Sequence, residues 1–111
     1  MDRSNGIKTS DNIYITRKET QRRNRLNSIK HELESGNMSS FNQMFAIISE
    51  TKISSELGLS FYTFRKNWQS PGRFSIDDMM RMAALFGVTY DTIHKFLIDI
   101  IKTTSKSRIF K

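Results

Sequence analysis

Cysteine is absent from this chain, so neither a disulfide framework nor a cysteine-based zinc site is available, and a reducing compartment is permitted. Proline occurs once, in Ser70-Pro71-Gly72, where it stops one helical segment and turns the chain. No apolar run approaches the roughly 20 residues that span a bilayer, and no signal-peptide core follows Met1. The expectation is a soluble, cytoplasmic protein.

Catalytic patterns are equally scarce. His31 and His94 fall in different helical segments, no HExxH spacing occurs, and no glycine-rich phosphate loop is present. Asp77-Asp78 stand at the start of a helical segment, where they complement the helix dipole and complete a cap rather than form an acid–base pair. No enzyme, cofactor or metal site is expected.

What the chain does have is positive charge, unevenly placed. The formal net charge is +7. Residues 1–30 carry a local +5 and residues 101–111 a local +4, whereas residues 31–100 sum to −2. A near-neutral middle cannot alone supply the phosphate neutralisation that dominates nucleic-acid affinity, so the ends would have to contribute.

With 111 residues there is room for one small domain plus extensions. Residues 1–15 begin with a polar stretch broken by Gly6 and read as a disordered arm. Thr16 and Glu19 have capping-box spacing for a basic helix over 16–35, with Arg17, Lys18, Arg22, Arg23 and Arg25 in its first half and a Leu26/Ile29/Leu33 stripe in its second. These cations fit a solvated face or a row of phosphate contacts equally well. Ser40 and Gln43 open a further helix with Phe41, Met44, Phe45 and Ile48 at helical intervals. Ser75 and Asp78 open another that carries Ile76, Met79, Met80, Ala83, Ala84 and Phe86 and stops at Gly87. The last helix, over 89–102, spreads its apolar side chains across roughly 200°, about twice the stripe a single core contact needs. The excess must meet either the Leu26/Ile29/Leu33 stripe or a second copy of the chain. Residues 103–111 form a basic tail.

Between these lies Ile53–Trp68, ISSELGLSFYTFRKNW, which reads as two short helices around Gly58. Ile53 and Leu57 share one side of the first, Gly58 closes it in the left-handed conformation, and Ser60 caps the second. Projection at about 100° per residue places Phe61, Phe64 and Trp68 on one buried face of that second helix. Tyr62, Thr63, Lys66 and Gln69 then project outward with Arg65 on the flank, a mixed hydrogen-bonding and cationic surface suited to a major groove.

Ser40–Ile101, about 60 of the 111 residues, resembles the lambda-repressor-like, XRE-type helix-turn-helix family. The resemblance rests on Ile53, Leu57-Gly58-Leu59-Ser60, Phe64 and Ala83-Ala84-Leu85-Phe86-Gly87-Val88. It implies an all-α, compact five-helix bundle over 40–102, here with an additional N-terminal helix and basic tails. It also implies operator binding, commonly as a dimer, and transcriptional regulation, with a nucleoid-associated location when bound. Base contacts would come from Phe61, Tyr62, Thr63 and Lys66, and phosphate contacts from Ser49 to Lys52. Ser54 stands where the family usually has alanine, Phe61 where it has a polar base reader, and Glu50 where it has a neutral phosphate contact. A carboxylate at Glu50 would repel the DNA backbone and leave that contact to Ser49, Thr51 and Lys52.

The function expected is a sequence-specific DNA-binding regulator, a repressor, using Tyr62, Thr63, Arg65, Lys66, Gln69, Ser49, Thr51, Lys52 and Ser60 on double-stranded DNA. A homodimer through helix 89–102 would match a palindromic site. The alternatives are a protein-interaction module on the same scaffold and a DNA-binding protein without sequence preference.

Overall fold

The helical segments condense into six α-helices and one 3-10 turn in a computed structural model that describes the backbone of residues 2–109 and the side chains of residues 17–104. In chain order they are α1 (Asp2–Ser35), α2 (Phe41–Phe45), α3 (Glu50–Leu57), α4 (Phe61–Gln69), the turn Pro71–Arg73, α5 (Ile76–Phe86) and α6 (Tyr90–Ile109). No strand occurs among the described residues, so the chain is all-α. No helix among them is long and apolar enough to cross a membrane.

Local chemistry sets most boundaries. Ser49, Ser60 and Ser75 accept the amide three residues on, capping α3, α4 and α5, and Ser75 completes a reciprocal capping box with Asp78. Ser40 likewise accepts the Gln43 amide, but the Gln43 side chain accepts from the Ser39 amide at 2.6 Å, one residue outside the expected box. Gly58 (φ 73°) and Gly87 (φ 72°) adopt the left-handed conformation that ends α3 and α5.

One helix start differs from expectation. α1 begins at Asp2 and passes through Thr16, so Thr16 lies within a helix rather than at its start. No proline interrupts this stretch, and the single Gly6 costs a helix only about 1 kcal/mol. The side chains of the arm expected over 1–15, and those of the basic tail beyond Thr104, lie outside the described residues.

The core is organised around Phe41. The rings of Phe45, Phe64, Trp68, Phe74 and Phe96 all lie within 6.3 Å of it, centroid to centroid, so the short α2 is the hub against which α4, the 3-10 turn and α6 pack. Ile53 and Leu57 of α3, Met82 and Phe86 of α5, and Ile93 and Leu97 of α6 fill the remainder. α1 closes the bundle: Ile29 and Leu33 are buried, and α1 packs against both α5 and α6. The wide apolar face of α6 therefore meets a partner within the chain, with Ile98 and Ile101 left half-buried.

Not every apolar residue at helical spacing is buried. Ile76, Met80 and Ala84 of α5 are exposed, because α5 needs only the stripe through Met82, Ala83 and Phe86. Phe61 also stands apart from the buried face of α4, for a reason that lies in the ion pairs beside it.

Candidate nucleic-acid interface

α3 and α4 form a unit whose turn is held from both sides. Leu59 donates its amide to the Ser54 carbonyl at 3.0 Å, and the Arg81 guanidinium reaches from α5 to the Leu57 carbonyl at 3.4 Å. Arg81 thus supports the carbonyl end of α3 while pairing with Asp77 at 3.1 Å.

Glu50, in the first turn of α3, is the clamp between the two helices. Arg65 of α4 donates to its carboxylate twice, Nε to Oε2 at 2.9 Å and Nη2 to Oε1 at 2.8 Å, and the Trp68 indole N–H adds a third bond at 2.7 Å. The hydrogen bonds from Arg65 hold the Glu50 carboxyl below its ordinary value, against a smaller opposing effect of desolvation, and the carboxylate raises Arg65 in return. The side chain of Glu50 is only 15% exposed. It is therefore turned into the protein and charge-paired, not aimed outward as a repulsive anion. Trp68, expected in the core, is half-buried so that its N–H reaches this carboxylate. The Arg65 guanidinium also lies 4.7 Å from the ring centroid of Phe61, which remains 40% exposed.

The outward face of α4 carries Tyr62, Lys66 and Gln69 on successive turns, all exposed. Tyr62 is 70% exposed, and the Lys66 ammonium stands 5.2 Å from its ring centroid. At the start of the helix Ser60 accepts the Thr63 amide at 3.0 Å and donates to Thr63 Oγ1 at 2.9 Å, so these two hydroxyls are oriented by each other. At the start of α3 the Ser49 hydroxyl accepts the Lys52 amide at 3.2 Å. Ser49, Thr51 and Lys52 are exposed there. Of the residues proposed to contact DNA, Tyr62, Thr63, Lys66, Gln69 and Ser60 share one helix surface; Ser49, Thr51 and Lys52 cluster at the neighbouring helix start; Arg65 is committed to Glu50.

A second clamp joins α1 to this unit. Arg22 donates Nε to Glu56 Oε2 at 2.8 Å and Nη2 to Oε1 at 3.0 Å, a fork-on-fork pair between α1 and α3. The hydrogen bond from Arg22 lowers the Glu56 carboxyl, and Glu56 raises Arg22. Sequence patterning missed both clamps, since Arg22 and Glu56 are 34 positions apart and Glu50 and Arg65 are 15 apart. Only pairs within one helix, such as Lys95 with Asp99 at 3.0 Å, follow from i,i+4 spacing.

Among the described residues no group of three or more His, Asp or Glu is placed to hold a metal ion. His31 and His94 are exposed, and His94 stacks on Tyr90 at 5.9 Å. No family model, curated protein or solved structure matches the chain.

Proposed function

We propose that this protein is a sequence-specific DNA-binding transcriptional regulator, acting as a repressor, with α4 as the helix that enters the major groove. The observation that carries the proposal is the surface of α4. It contains no carboxylate, presents Tyr62, Thr63, Lys66 and Gln69 to solvent, and is tied to the helix before it through Glu50. Because Arg65 neutralises Glu50, that carboxylate does not oppose an approaching phosphate. Lys66 with Tyr62 and Gln69 would discriminate base edges, Thr63 suits a thymine methyl or a phosphate, and Ser49, Thr51 and Lys52 with the cations of α1 would track the backbone. No catalytic role and no cofactor enter this reading. In cells it places the protein in the cytoplasm, on the nucleoid when bound.

Selection of bound duplexes from a random pool tests it. Enrichment of a defined sequence supports readout by α4, and a palindrome adds a homodimer, for which the half-buried Ile98 and Ile101 of α6 offer a contact. Salt-sensitive binding with no enriched sequence would leave only non-specific DNA binding.

A second reading has its own support. Phe61, Tyr62, Ile76 and Met80 are large apolar or aromatic side chains left exposed, and the folded segment from 31 to 100 is not basic. These features suit a protein-interaction module. It is distinguished by partner binding together with an absence of any salt-dependent shift of duplex DNA.

A further inference from the structure

Between α1 and the start of α3 lies a cleft of about 330 Å³ whose apolar floor has no part in DNA reading by α4. Its size is at the lower end of small-molecule sites, which run roughly 300–1,000 Å³. The floor is apolar, built from Leu26, Ile47, Ile48, Ile53 and Leu85. The rim is cationic, with Lys18, Arg22, Arg25 and Lys52. The carboxylate in the lining, Glu56, is already neutralised by the two hydrogen bonds from Arg22. Arg25 and Lys52 are exposed and neither forms a close ion pair among the described residues, although the Lys52 ammonium adds to the pull of Arg22 on the Glu56 carboxylate.

We propose that this cleft binds a small amphipathic anion, an aromatic or short-chain carboxylate, sulfonate or phosphate monoester. Its apolar body rests on Leu26, Ile47 and Leu85, and its charged group meets Arg25 and Lys52. The two halves of the lining exclude simpler ligands. A neutral hydrocarbon would gain nothing from Arg25 and Lys52, and an inorganic anion would leave the aliphatic floor wet. The place has consequences for the rest of the protein. The cleft is bounded by the Arg22–Glu56 pair, so an occupant bridges α1 and α3, and α3 holds α4 through Glu50. Occupancy would stiffen the seating of α4 whatever α4 binds, so the proposal does not depend on the DNA reading.

The test is a fluorescence titration of the full chain with anilinonaphthalene sulfonate and, in parallel, with N-phenylnaphthylamine, the same ring system without the sulfonate. The expected result is saturable one-site binding of the sulfonate, with the neutral compound weaker by about tenfold. R25Q/K52Q lowers sulfonate affinity by about tenfold at an unchanged denaturation midpoint, the charge-conserving R25K/K52R retains it, and K66Q leaves it unaltered. Equal affinity for the two compounds, or binding indifferent to R25Q/K52Q, would overturn the proposal.

Discussion

Phe64 has no exposed surface, and its ring stands 6.0 to 6.3 Å from those of Phe41, Phe45 and Phe74, so no neighbour can collapse into its place without moving the aromatic hub. Phe64→Ala is expected to cost about 3–5 kcal/mol through the cavity, and to weaken any binding only indirectly. Chemical denaturation measures this, and an unchanged midpoint would contradict the packing. Lys66 is the opposite case, exposed and set against the face of Tyr62. Lys66→Ala should leave stability unaltered and reduce affinity for a selected duplex by about 1–3 kcal/mol, with a much smaller loss on random duplex. Equal losses on the two duplexes would make Lys66 a phosphate contact. Arg65 has a different role from its neighbour, because its guanidinium already serves Glu50 and the face of Phe61. Its substitution should disturb α4 itself rather than base preference alone.

Helices α3 and α4 are short, eight and nine residues, below the length at which an isolated helix is stable in water. Their mutual orientation depends on Gly58, on the hydrophobic contacts of Ile53, Leu57 and Phe64, and on the Glu50 clamp. The clamp has a pH signature. Glu50 and Glu56 both have carboxyls held below the ordinary 4.5 by hydrogen bonds from arginine. A carboxyl depressed in the folded state contributes stability that is present above its unfolded value and is lost as pH falls through the folded one. Thermal melts of the native chain should therefore drop more steeply between about pH 5 and pH 3 than those of E50Q/E56Q, which should be less stable at neutral pH. Parallel curves across that window would mean that the clamps contribute nothing measurable. Gly58 gives a further check. A Cβ there would meet only Arg81 Nη1 at 3.8 Å, so the cost of Gly58→Ala, about 1 kcal/mol, reflects the left-handed backbone rather than a clash.

Across the whole molecule, the positive charge lies apart from the bundle that would read DNA. The segment from 31 to 100 sums to −2, and the cations gather in α1 and beyond residue 101. The Arg22–Glu56 pair and the buried Ile29 and Leu33 dock α1 onto the bundle, so its exposed Arg17 and Arg23 ride on a fixed element. R17Q/R23Q should weaken binding to every duplex alike and reduce the slope of log affinity against log salt by about 0.9 for each phosphate that is no longer neutralised. An unchanged slope would remove α1 from the DNA path.

Much of the fold was legible along the chain because its signals are local. Serine caps, glycine stops and apolar residues at three- and four-residue spacing act within one or two turns, which is why α3, α4 and α5 lie where Ser49, Ser60, Ser75, Gly58 and Gly87 put them. The same locality placed Tyr62, Thr63, Lys66 and Gln69 on one outward surface. It failed wherever a side chain had a choice of distant partners. Periodicity could not tell that Phe61 would lie under Arg65 in solvent, that Ile76 and Met80 would have nothing to pack against, or that Phe41 would be the centre of the core. Nor does spacing reveal that Glu50 is turned inward to Arg65 and Trp68, or that Arg22 is held by Glu56. Those pairings are decided by how α1, α3 and α4 come together in space, because an ion pair is set by distance between side chains and not by their separation along the chain.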